Sequence, residues 1–270
     1  MTTPKKPTQL EVTYLGGPTM IIEIGGFRLM TDPTLDPKGT MFVLNEKMTE
    51  TKLSGPAMLP VDPVDLVLLS HDQHFDNLDT GGRAYLKEVG QTLTTKIGAQ
   101  RLKGNSIGLQ PGESRAYTTP AGDQIKITAT PARHGPAGIE KITGDVVGFH
   151  LAVTGEKSFE IYITGDTVFY NEIERLSNLI NPQYVFIFAG AARPRGPFNV
   201  TMGTNDAIDT AQVFPQAVLI PLHSEGWSHY TENNSNLKEA FQILGIPERL
   251  QLLEPGILTS LTVGAKKVAE

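Results

Sequence analysis

Leu68 to Asp79 reads "LLSHDQHFDNLD", placing two histidines and three aspartates directly behind an aliphatic run. Imidazole nitrogens and carboxylate oxygens in that density are ligands for a divalent cation such as zinc, manganese or iron. Three further ligand-type residues stand in the same relation to an apolar run. His134 follows "IKITATPAR", Asp166 follows "EIYITG" and His223 follows "AVLIPL". Sheet proteins place chemistry just outside strand carboxyl ends, where loops are free to carry it on a rigid base. Four such endings, His71 included, predict one convergent site built around His71, His134, Asp166 and His223. A divalent ion held there lowers the pKa of bound water toward about 7 and so supplies hydroxide at neutral pH.

The elements that must position these residues are strands and short helices. "QLEVTYL", "TMIIEIG" and "FRLMTDP" form a meander broken by "GGP" and "GG". A long loop from about Leu35 to Pro63 is expected to lie over the surface or over the site. "VDLVLLS" reads as a strand buried on both faces. Strand-then-helix order follows through "GGRAYLKEVG", "QTLTT" and "KIGAQRLKG". The β-rich stretch "SRAYTT" to "SFEIYITGD" comes next. Helix is predicted over "FYNEIERLSNLI", "TNDAIDTAQVFP" and "SNLKEAFQILG", from apolar spacing. "RLQLLEPG" is expected to be the last strand. The order predicts two similar halves, with two sheets face to face and helices outside, in a single domain over residues 1–270.

The chain has 270 residues, 39% hydrophobic and 19% charged, which supports a sizeable core. A net charge of −6 argues against a partner bound by phosphate neutralisation, so no nucleic acid is expected. With no cysteine there is neither a disulfide nor a thiolate ligand. No apolar run reaches membrane-spanning length and no export leader precedes the first strand, so a cytoplasmic location without membrane attachment is expected. Homo-oligomerisation stays open.

In order, "VTYLGGPTMIIEIGGFRLMTDP", "LLSHDQHFDNLD", "TPARHGP", "ITGDT" and "IPLHSEGW" resemble the metallo-β-lactamase superfamily, nearest the branch of ascorbate-phosphate lactonase-like intracellular hydrolases. The resemblance implies an α/β fold, a four-layer αββα sandwich, with one or two metal ions at the edge between the sheets. It implies His71, His74 and His134 around one ion, Asp76 and His223 at the other, and Asp166 bridging. The family's first motif, His-x-His-x-Asp-His, fits only if one extra residue bulges between His71 and His74, with Asp72 an alternative to His71. Asn77 stands where the family has a histidine for the second ion. That departure predicts a second site that is weaker, selective for a harder metal, or empty.

Asp76 and Asp166 are the expected catalytic carboxylates. Asp79 is a candidate for orienting an imidazole, against a plain helix-start aspartate. Arg193 and Arg195 in "GAARPRGPFN", and Arg133, are candidates for an anionic substrate. His229 is a candidate substrate contact or acid, while His150 and Trp227 are expected to pack. The reading is a metal-dependent hydrolase using metal-activated hydroxide on an ester, lactone, amide or phosphodiester of a small molecule. Its rivals are a degenerate binding or scaffold protein and a nucleic-acid-processing nuclease.

Overall fold

The computed structural model describes residues 9–45 and 48–264. Residues 1–8, over which no export leader was expected, lie outside the described residues, as do 46–47 of the predicted long loop. The meander is β1 (Leu10–Gly16), β2 (Thr19–Ile24) and β3 (Phe27–Thr31). Ile24 pairs with Phe27 across Gly25 and Gly26, whose φ of 54° and 82° suit the tight turn that follows strand twist. The expected loop contains an antiparallel hairpin of its own, β4 (Met41–Asn45) and β5 (Met48–Thr51). Strand–helix units follow as β6 (Leu66–Leu68), α1 (Thr80–Tyr85), β7 (Gln91–Thr95), α2 (Lys96–Leu102) and β8 (Ser106–Leu109). The chain continues with β9 (Ser114–Thr118), β10 (Gln124–Pro131), α3 (Glu140–Thr143), β11 (Val147–Thr154) and β12 (Phe159–Ile163). It ends with α4 (Asn171–Leu176), β13 (Tyr184–Phe188), α5 (Thr204–Val213), β14 (Val218–Leu222), α6 (Asn234–Ile243) and β15 (Leu258–Leu261).

Two sheets result, in the orders β15-β1-β2-β3-β6-β7-β8 and β14-β13-β12-β11-β10-β9. Alternation along the strands explains the layering. Leu66 and Leu68 of β6 face the same central core as Phe186 and Phe188 of β13. The next residues round, Val67 and Leu69, pack outward with Tyr85 and Leu86 by α1. Val185 and Ile187 turn outward onto Ala207 and Ala211 of α5 and Phe241 of α6. Strands buried on both faces read as continuous apolar runs for this reason. The arrangement is the four-layer αββα sandwich that the resemblance implies.

One strand differs from expectation. "RLQLLEPG" is not the last strand: it holds a 3₁₀ turn, Pro247–Arg249, and a lone bridge from Leu250 to Leu219. Pro247 has no N–H to give a ladder, and the Arg249 guanidinium donates to the carbonyls of Ala211, Phe214 and Ala217. The last strand is β15, which returns to pair Leu261 with Leu10.

Candidate metal centre

Strand direction brings the ligand-type residues to one end of the molecule. β10 and β11, then β11 and β12, pair antiparallel, while β12, β13 and β14 run parallel. The carboxyl ends of β10, β12 and β14 therefore share one edge, and His134, Asp166 and His223 follow those ends. The loop after β6 delivers His71, His74 and Asp76 from the other sheet. His223 adopts φ 53°, a left-handed conformation uncommon for a non-glycine residue, and its N–H donates to Gly17 O at 2.7 Å.

His74 Nδ1 lies 2.9 Å from His71 Nε2 and 3.0 Å from His134 Nε2. Asp166 Oδ2 stands 3.8 Å from His71 Nε2 and 3.6 Å from His134 Nε2. The outer partners fix two of the rings. The Ser70 hydroxyl donates to Asp32 Oδ1 at 2.6 Å, so at 2.9 Å it accepts from His71 Nδ1–H. His134 Nδ1–H donates to Val200 O at 2.7 Å. Both rings therefore turn an Nε2 lone pair inward, and one proton on His74 can satisfy only one of them. Asp166 Oδ2 is buried among them with no hydrogen-bond partner. Four ligands around an ion at about 2.0–2.1 Å in a tetrahedron are separated by about 3.3–3.4 Å, and the four observed edges straddle that value. The donors fit a divalent cation.

A second group shares Asp166. His223 Nε2 lies 3.3 Å from Asp76 Oδ2 and 3.3 Å from Asp166 Oδ1. The Tyr230 hydroxyl lies against the His223 ring. Burial opposes charge on His223, but Asp166 and Asp76 outweigh it and push its pKa up to about 10. Burial likewise opposes ionised Asp76, yet His229 and His223 hold its carboxyl well below the usual range. By contrast, burial and then the neighbouring His134 push His74 down to about 4. His71 and His74 thus offer neutral imidazoles, both held down by burial first, and the second group is a cluster of opposed charges.

The remaining candidates divide. Asn77 Nδ2 donates to Asp166 Oδ1 at 3.3 Å, and its own Oδ1 is buried without a partner. Asp72 is not an alternative to His71: its carboxylate is paired with the Arg101 guanidinium. Gln73 donates to the carbonyls of Thr143 and Asp145. Those two residues form the expected bulge, directed away from the centre. Asp79 does not orient an imidazole. It caps α1 through Gly82 N–H, accepts from Leu35 and Asp36 N–H, and pairs with buried Lys52 at 3.1 Å. Arg193 is exposed and donates to Asn199, whereas Arg195 lines the pocket over His74, Asp76 and His134. Arg133 lies over the Tyr170 ring. His150 pairs with Glu160 and Trp227 packs on Phe42, as expected.

Sequence reasoning missed Glu50, which lines the same pocket from β5, and His229 comes closer to the centre than expected, 2.9 Å from Asp76 Oδ2. Asp32 and Ser70 were also missed as the support for His71, although "TDP" and "LLS" marked their positions.

Residues 28–224 match the family described as the beta-lactamase superfamily domain. The UPF0173 protein YddR of Bacillus subtilis (strain 168) is 24% identical over 255 residues, covering 92% of this chain and 98% of that protein. A UPF0173 metal-dependent hydrolase of Pelotomaculum thermopropionicum is 26% identical over 259 residues, covering 92% of this chain and 98% of that protein. The crystal structure of isothiocyanate hydrolase from Delia radicum gut bacteria superposes with a TM-score of 0.74 at 22% identity, covering 94% of this chain and 100% of that one.

Proposed function

Because the chain belongs to the beta-lactamase superfamily domain family, we propose that it is a metal-dependent hydrolase acting on a small, anionic substrate at a carbonyl or phosphoryl centre. The observation that carries this reading is the convergence of His71, His74, His134 and Asp166, each offering a ligand atom within 4.8 Å of the others, at the strand ends of two sheets. Those four side chains hold the first ion, zinc before manganese or iron given three imidazoles. Asp76, Asp166 and His223 form a further donor cluster that shares Asp166 with the first. When bound, the metal supplies water activated at neutral pH and a Lewis acid for the scissile group's oxygen.

The chain's own residues do the rest. Ser70 and Val200 fix the His71 and His134 tautomers, so the rings enter the reaction already oriented. Asp76, held ionised beside His229 and His223, is placed to accept a hydrogen bond from the nucleophile and hold it in line. Arg195 at the pocket wall presents a fork of donors to a carboxylate or phosphate on the substrate.

His134→Ala and Asp166→Asn are the test. Purified protein should carry at least one equivalent of divalent metal and hydrolyse an ester, a lactone or bis-p-nitrophenyl phosphate. Each variant should fall to the uncatalysed background with its circular dichroism unchanged. Activity surviving both substitutions would sink the site. Protein without metal that zinc, manganese and iron fail to restore would favour a non-catalytic binding role.

A further inference from the structure

Asp76 belongs to two constellations. Its Oδ2 faces His223 Nε2 at 3.3 Å on one side and His229 Nε2 at 2.9 Å on the other. Glu50, Asp76 and His229 each present a ligand atom within 4.8 Å of the other two, apart from the His71 group. Glu50 reaches this point from the β4–β5 hairpin and His229 from the loop after β14, so neither belongs to a sequence motif. Both are nearly buried, with side-chain exposures of 8% each. His229 Nδ1 has no hydrogen-bond partner and lies 3.8 Å from Glu50 Oε1. That gap is too wide for a hydrogen bond.

We propose that the second divalent cation of this chain is held by Glu50, Asp76 and His229, with His229 supplying the imidazole that Asn77 does not. An imidazolium at 229 would be an alternative filling of the space. It reaches Asp76 but leaves its other N–H without an acceptor inside a nearly closed pocket, a costly state for a buried donor. A cation takes one His229 nitrogen in place of a proton and lies between two carboxylates whose charge it neutralises. Two carboxylates and one imidazole form a harder donor set than three imidazoles and one carboxylate, so this position prefers manganese or iron(II), while the His71 position prefers zinc. The position opens on the pocket that Arg195 lines, so an ion there meets substrate directly.

The inference rests on the hydrolase reading for the first ion, and metal counting separates the two. Chelator-stripped protein is reloaded with zinc and manganese, dialysed and assayed by elemental analysis, and second-ion affinity is measured by manganese titration of the zinc-loaded protein. The parent should hold one zinc and one manganese. His229→Ala and the near-isosteric Glu50→Gln should keep the zinc and bind manganese at least roughly tenfold more weakly, the lower end of the loss seen when even a supporting contact of a metal site is removed. Manganese binding unchanged in either variant overturns the assignment, as does a parent that takes up zinc alone. A parent that binds neither metal refutes the hydrolase reading along with it.

Discussion

At the scale of single residues, the centre depends on side chains whose other faces are already committed. His71 and His134 each spend one nitrogen on a support, which leaves the other defined. The same logic governs Lys52 and Asp79, a buried ion pair beneath the hairpin with side-chain exposures of 3% and 0%. Burial lowers the Lys52 pKa and Asp79 offsets part of that. The Lys52 ammonium also donates to Thr34 O at 2.6 Å, so one cation ties the hairpin to the loop before it. Lys52→Met strands a buried carboxylate and should cost about 3–5 kcal/mol, read as a lower urea midpoint with an unchanged slope. An unmoved midpoint would mean that the three backbone N–H groups on Asp79 suffice. His71, His134, Asp166 and His223 were legible in the sequence because a polar residue after an apolar run marks a strand's carboxyl end, whereas His74 and Asp76 were read from the family motif. Glu50 was not, because a glutamate in a polar hairpin looks like any solvated residue until the fold turns it inward.

At the scale of elements, the β4–β5 hairpin is the piece the sequence presented as loop. Its strands lack apolar alternation strong enough to declare them, since Met41 and Val43 are exposed at 69% and 72%. What holds it is Phe42, stacked on Phe75 at 4.6 Å and tilted against Trp227 at 5.6 Å. Phe75 sits between His74 and Asp76, so the hairpin rests on the ligand loop itself. Phe42→Ala should release the hairpin without unfolding the sheets, because the two central strand sets pack independently of it. The expected result is faster protease cleavage within 41–51, weaker manganese binding through Glu50, and zinc retention at the His71 position. Cleavage at the parent rate would show that the backbone bonds from Leu53 N–H to Gly226 O and Thr51 N–H to Ser228 Oγ hold it alone. The strands β6, β12 and β14 were legible from apolar runs. The "RLQLLEPG" segment was not, because its leucines go separate ways, Leu250 onto the α5 and α6 side, Leu253 into the central core and Leu252 to solvent, without joining a ladder.

At the scale of the whole molecule, the centre is a concentration of charge where two sheets end, and the fold must tolerate it without metal. The sign of its pH dependence follows from the groups that titrate. His74 is held down at about 4 against an ordinary 6.5, by burial first and then His134. Between those values the unfolded chain takes up a proton that the folded chain refuses, so stability falls as pH drops through that window. His223 runs the other way: pushed up to about 10 from 6.5, it contributes stability that is complete below 6.5 and fades as pH rises toward 10. Glu50, pushed up from 4.5 to about 7 by burial and then Asp76, loses stability as pH rises between those two values, so metal-stripped protein should melt highest on the acid side of pH 6.5 and lower above it. Metal needs its imidazoles deprotonated, so its binding, and the stabilisation it confers, grow with pH. At a free concentration 100 times the dissociation constant, that stabilisation is about 2.7 kcal/mol. Adding zinc and manganese should raise the melting temperature more at pH 8 than at pH 5 and move the maximum to the alkaline side. A larger rise at pH 5 would contradict the assignment of these imidazoles as ligands, because a group that binds metal cannot also gain from keeping its proton.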